Sequence, residues 1–172
     1  PLQGLVLVAP EPVVDERGLF ARTWCGEAFR SAGIAFAPVQ SGVSWSAAAY
    51  TLRGLHWQAP PHAEAKLVRV TAGAVFDVAG DLRPRPPSRG RWHGVILRAG
   101  NPPAVFIPEG FAHGLLTRAE GTEVHYAMNA PYEPGSARGA RFADPAFAID
   151  WPAPPAVVSD RDLAWPGWEA GP

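Results

Sequence analysis

Apolar residues in this chain come in short runs, cut at close intervals by proline and glycine, and no run repeats at the helical spacing for long. Runs of this kind, bounded by turn residues, predict β-strands. The segments are Leu5 to Ala9, Leu19 to Trp24, Thr51 to Trp57, Lys66 to Thr71, Ala74 to Val78, Trp92 to Arg98, Ala104 to Ile107, His113 to Thr117 and Glu123 to Met128. Ala72-Gly73 is placed to turn a hairpin between two of them. Only GEAFRSAG reads as a short helix, and SDRDLAW predicts a further turn or two with Ser159 as N-cap. The pattern is all-β, a sandwich or closed double-sheet jelly roll.

Composition sharpens this picture. The 172 residues include 20 prolines and 18 glycines spread along the length, and no internal break divides them, so a single domain over 1–172 is expected. The stretch 151–172 is rich in proline and tryptophan; such large rings are expected to pack back on the barrel. A formal charge of -1 with both signs interspersed leaves no basic stripe for nucleic acid. One cysteine, Cys25, excludes an intrachain disulfide or a multi-thiolate zinc site and fits a reducing cytoplasm. The first residues, PLQGLVLVAPEP, lack a basic region and a long apolar run, so neither a signal peptide nor a membrane span is expected there.

Strand parity then singles out polar residues. Lys66 shares its face with Val68 and Val70, Tyr126 with Val124 and Met128, and Asp77 with Val75 and Ala79. Polar groups on apolar faces are paired or line a cavity. One alternative is a structural ion pair between Asp77 and Lys66 with Tyr126 capping the core. In LRGLHWQ, Arg53 and His56 fall on opposite faces unless Gly54 marks a bulge.

PEGFAHG, at 108 to 114, resembles the second metal motif of the cupin superfamily. The first motif departs from the pattern, with His56-Trp57-Gln58 in place of paired histidines and Glu64 displaced. His62 lies in the turn APPHAE. Two reliable imidazoles are too few for a catalytic transition metal, so a cupin-like barrel without metal is expected.

Six motifs in order, DERGLF, LRGLHWQ, KLVRVTAGAVFDVAGDLR, IPEGFAHG, EVHY and SDRD, resemble the dTDP-4-dehydrorhamnose 3,5-epimerase family over nearly the whole length. The resemblance implies a cofactor-free double-stranded jelly roll that forms a homodimer by exchanging strands and holds a nucleotide sugar in the barrel. It implies His56 as the catalytic base oriented by Asp162, Tyr126 as the acid, and Lys66 beside the sugar ketone. Arg53 and Arg17 match phosphate-contacting arginines, and Gln40, Asp77, His113 and Tyr132 match other pocket positions. Inversion next to a ketone needs one base and one acid on opposite faces of the carbon, and a cation near the transient enolate. An imidazole, ordinarily titrating at about 6.5, suits the first task. Four positions depart from the family pattern: Arg22 and Ala137 stand where it has glutamate, Gly42 where it has asparagine, and Val13 where it has an aromatic. They bear on the substrate rather than on the proton chemistry. The alternatives are a metal-dependent cupin using His56, His113 and His62 or Glu64, and a barrel that binds a sugar nucleotide without turning it over.

Overall fold

The structure, a computed structural model, describes residues 2–84, 87–100 and 103–168. In chain order its strands are β1 Val6–Val8, β2 Pro12–Asp15, β3 Gly18–Ala21, β4 Gln40–Ser46, β5 Thr51–Gln58, β6 Lys66–Ala72, β7 Ala74–Asp81, β8 Trp92–Arg98, β9 Ala104–Ile107, β10 Phe111–Thr117, β11 Thr122–Met128, β12 Ala137–Gly139 and β13 Val157–Val158. Helix α1 covers Gly26–Ser31 and α2 covers Asp160–Leu163. Both predicted helical segments therefore form. Ser159 caps α2, its side chain accepting from the Asp162 N–H. No helix among the described residues is long and apolar enough to cross a membrane.

Two antiparallel sheets face each other, β1-β9-β6-β11-β4 and β12-β5-β10-β7-β8, with β13 added parallel to β5. From β4 to β12 the chain changes sheet at every connection except β7 to β8, which is the winding of a cupin-like jelly roll. This corrects the expected hairpin at Ala72-Gly73. β6 and β7 belong to different sheets, and Gly73, at φ +74°, turns a corner against Thr122 where a Cβ would collide. Local turn chemistry is the same for a hairpin and a corner, so only the long-range pairing tells them apart.

Between the sheets lies an apolar cluster of Val68, Val70 and Val124 from one sheet with Val75, Leu97 and Leu115 from the other. Burying each such side chain contributes roughly 1.5–3 kcal/mol. The outer faces are covered too. Phe29 of α1 packs with Phe36 and Phe106 on one sheet, while Phe147, Trp151 and Trp168 cover the other. All seven residues of β10 are consequently buried. The closing segment through Trp168 lies on the barrel, Trp168 stacking on Phe147 with centroids 4.7 Å apart; residues 169–172 of the expected tail lie outside the described residues.

Strands β2 and β3 form a separate two-stranded ribbon, and its apolar residues Val13, Val14, Leu19 and Phe20 are 59–71% exposed. Strands β2, β4, β12 and β13 were not among the expected nine, and the expected Leu19 to Trp24 strand stops at Ala21.

Candidate active site

One end of the space between the sheets is polar because the inward faces of several strands change character at the same level. On β6 the inward residues run Val70, Val68, Lys66, and on β11 they run Val124, Tyr126. The facing sheet adds His113 from β10 and Arg53 and His56 from β5. Two adjoining cavities of about 300 and 290 Å³ share His56, Lys66, Tyr126 and Arg161. The first also reaches Gln40 and Tyr132, and the second reaches Arg53, His113 and Asp162.

Arg53 and His56 meet on one face because β5 carries a bulge. His113 pairs with His56 and Leu115 with Arg53, so three steps on β5 oppose two on β10. Gly54 makes this possible. It adopts φ +116°, and a Cβ there would stand 2.6 Å from Gly114 Cα and 2.7 Å from the His113 carbonyl oxygen. No other residue fits that close approach.

His56 Nε2 lies 2.6 Å from Asp162 Oδ1, while the Gly54 N–H donates to Asp162 Oδ2 at 3.1 Å and Trp165 Nε1 donates to Oδ1 at 3.3 Å. Burial works against the Asp162 charge, but the hydrogen bond and charge of His56, with the Gly54 and Trp165 donors, outweigh it and hold the carboxyl below its usual range. An ionised Asp162 accepts from Nε2–H, which leaves the lone pair of Nδ1 as the basic site of a neutral His56 ring. Side-chain exposure of 40% keeps His56 open to the cavity while Asp162 is at 5%.

Tyr126 comes from the opposite sheet, its hydroxyl 3.1 Å from Ser44 Oγ. Burial is the main cause that pushes its phenol up to about 12, with the Asp77 charge adding and the Ser44 hydrogen bond and Arg53 charge opposing. Lys66 pairs with Glu64 at 3.0 Å, not with Asp77. Asp77 instead bonds His113 Nε2 at 2.8 Å and sits behind that ring, so it does not line the cavities as the family match implied. Gln40 Oε1 accepts from the Tyr132 N–H at 2.9 Å, tying two pocket residues together.

Arg17 is the one proposed site residue that stands apart. It lies in the β2–β3 ribbon, its side chain 82% exposed and paired with Asp15, and it lines neither cavity of its own chain. Val13 and Arg22 are equally remote, Arg22 donating to Cys25 Sγ at 3.7 Å. Gly42 and Ala137 do line the first cavity, and a Cβ on Gly42 would meet nothing within 4 Å, so that wall is open.

The donors of the metal alternative are engaged elsewhere: His56 with Asp162, His113 with Asp77 and Glu64 with Lys66. His62 is exposed, and Gln58 donates to the His62 and Pro131 carbonyls at 3.0 and 3.1 Å. No group of three or more His, Cys, Asp or Glu side chains able to hold a metal occurs among the described residues. Sequence reasoning missed Arg161, Ser44 and Trp165. Arg161 sits inside the recognised SDRD turn and was the most accessible of the three to a motif reading.

A sequence profile described as dTDP-4-dehydrorhamnose 3,5-epimerase matches residues 1–170. The Escherichia coli K12 protein of that name is 41% identical over 152 residues, covering 88% of this chain and 82% of the relative. Among solved structures, the dTDP-4-dehydrorhamnose 3,5-epimerase from Bacillus anthracis with TDP and PPi bound superposes with a TM-score of 0.93 at 36% identity, covering 96% of this chain and 94% of that one. ChmJ, a 3'-monoepimerase from Streptomyces bikiniensis in complex with dTDP-quinovose, gives a TM-score of 0.87 at 31% identity, covering 97% and 86%. A profile match over residues 1–170, a relative at 41% identity and a shared fold at TM-scores of 0.93 and 0.87 agree: the chain belongs to the dTDP-4-dehydrorhamnose 3,5-epimerase family and is an isomerase.

Proposed function

We propose that this epimerase inverts carbon adjacent to the C4 ketone of a dTDP-linked 4-keto-6-deoxyhexose, without a cofactor. The observation that carries the reading is the placement of His56 and Tyr126 on facing sheets of one continuous cavity, with Lys66 beside Tyr126. His56 Nδ1 takes the C–H proton, and Asp162 offsets the charge of the imidazolium that results. The electron pair moves into the C4 carbonyl, where the Lys66 ammonium, held by Glu64, stabilises the enolate oxygen. Tyr126 returns a proton to the opposite face as the C4 ketone re-forms. The phenol's raised pKa keeps it protonated, and thus able to donate, across the neutral range.

Arg53 and Arg161 supply the cations for the diphosphate. The Arg53 fork is braced by Ser46 Oγ at 3.2 Å and the Trp45 carbonyl at 2.9 Å. Gln40, Tyr132 and His113 line the remainder of the bound nucleotide sugar, and Asp77 acts through His113. Incubation with dTDP-4-keto-6-deoxyglucose in deuterium oxide tests the reading by proton NMR. Deuterium is expected at C3, at C5 or at both, with inversion; the absence of label at both carbons would remove epimerisation as the function.

The exposed apolar ribbon and the location of Arg17 support a homodimer in which each ribbon reaches the neighbouring barrel, whose β4 edge is open. Arg17 then acts at the partner's phosphate site. Light scattering is expected to give twice the chain mass for the native protein and the chain mass for Phe20→Asp. A native monomer with full activity would remove this assembly.

A further inference from the structure

Trp165 touches both halves of the His56–Asp162 pair. Its indole N–H donates at 3.3 Å to Asp162 Oδ1, the oxygen that also bonds His56 Nε2. The ring meets the imidazole edge-on, with centroids 6.3 Å apart and planes inclined by 65°. This arrangement is built by the chain on every side. Trp165 directly follows Ala164, the C-cap of α2, so the turn that delivers the carboxylate also delivers the indole. Beneath the ring lies Gly139, the register partner of His56 on β12, and a Cβ at Gly139 would collide with the indole. The Arg161 guanidinium stands 5.3 Å from the ring centroid on α2. Beyond it, Asp144 accepts from the Trp168 N–H and Phe147 stacks on Trp168, which anchors the segment.

We infer that Trp165 is a positioning residue for the general base: its N–H shares Asp162 Oδ1 with His56, fixing the carboxylate and drawing off part of its negative charge. The inference rests on His56 acting as the base in the function proposed above. A carboxylate oxygen that accepts two donors holds each less strongly than an oxygen serving one. The indole and the imidazole therefore compete for one oxygen, and removal of the indole N–H leaves the carboxylate to hold the imidazolium more tightly. The other ionisable groups lining the cavities with His56 are Arg53 on its own strand, Lys66 with its partner Glu64, His113, Tyr126, Tyr132, Arg138 and Arg161. None of them donates a hydrogen bond to Asp162 among the described contacts.

The test compares pH profiles of kcat and kcat/KM for dTDP-4-keto-6-deoxyglucose in the native enzyme, Trp165→Phe, Gly139→Ala and His56→Gln. Trp165→Phe keeps a ring over Gly139 but removes the N–H; Gly139→Ala keeps the N–H but pushes the indole aside. Both are expected to lower kcat roughly tenfold with KM little changed, and to move the acidic limb of kcat/KM to higher pH. A packing role alone would lower the melting temperature without moving that limb. An unmoved limb in both variants, with His56→Gln inactive, overturns the inference and leaves the base assignment standing. Full solvent exchange by His56→Gln overturns the base assignment and the inference with it.

Discussion

His56→Gln is expected to abolish measurable inversion, with turnover falling by about 10²–10⁴-fold, while the protein still folds. The substituent is chosen for what it leaves behind. Asp162 is 4% exposed and ionised, and truncation to alanine would deprive its Oδ1 of the shorter of two donors. Leaving a buried acceptor short of a partner costs about 1–3 kcal/mol. Glutamine carries its amide nitrogen at the level of the lost ring Nε2 and so retains an N–H for that oxygen, but it has no lone pair of useful basicity to offer a C–H bond. Loss of deuterium wash-in at every carbon, with an unchanged melting temperature, is the expected result. Retained wash-in would reassign the base to another group in the cavity. The same carboxylate gives the acid side of the profile. Its pKa is depressed in the folded state, so its contribution to stability is present above the ordinary carboxylate range and is lost as pH falls through the folded value. The Asp162 carboxylate thus stays ionised below the ordinary carboxylate range as pH falls, so activity lost above that range does not come from its protonation.

Tyr126→Phe separates the two halves of the reaction. Removal of the hydroxyl leaves His56, Asp162 and Lys66 in place, so proton abstraction continues and the base can return a solvent deuteron to the face it came from. Deuterium is expected to enter substrate that keeps its configuration, while inverted product falls by about 10²–10⁴-fold. Equal loss of exchange and inversion would place Tyr126 in enolate formation instead. The native phenol also makes a pH prediction. An ordinary tyrosine, titrating at about 10, is roughly a tenth ionised at pH 9. Tyr126, pushed up to about 12 by burial, is still protonated there. Its ionisation therefore causes no loss of rate at pH 9, and kcat measured from pH 7 to pH 9 is expected to show no fall attributable to this acid.

The strands that sequence reasoning found and those it missed differ in a physical way. Trp92–Arg98 and Ala104–Ile107 form over the expected residues because both are apolar runs ending at turn residues, the first an edge strand that buries Leu97 and the second buried throughout. β4, QSGVSWS, carries the reverse pattern. Its apolar Val43 and Trp45 are exposed, Val43 also touching the first cavity, while Gln40, Gly42 and Ser44 line the cavities. Its inner face is polar because it lines a ligand site, and a rule that expects apolar residues inside passes over it. β12 and β13, three and two residues long, exist only because β5 offers them an edge. β2 starts on a proline in a ribbon without core contacts, which gives periodicity nothing to register.

The linear order of residues by itself determined the all-β class, the two short helices with their Ser159 cap, and the family, since contiguous motifs carry those signals. It also marked Gly54 as the place where a bulge would bring Arg53 and His56 to one side. The family resemblance implied that Asp162 orients His56, and they meet at 2.6 Å; tertiary structure alone decided that the bulge forms and that Lys66 pairs with Glu64 while Asp77 retires behind His113. It alone placed Arg17 outside its own cavity and set Trp165 against the base. Partners separated by a hundred residues are chosen by which strands become neighbours when the two sheets close, and strand alternation records which way a side chain points but not what it will meet.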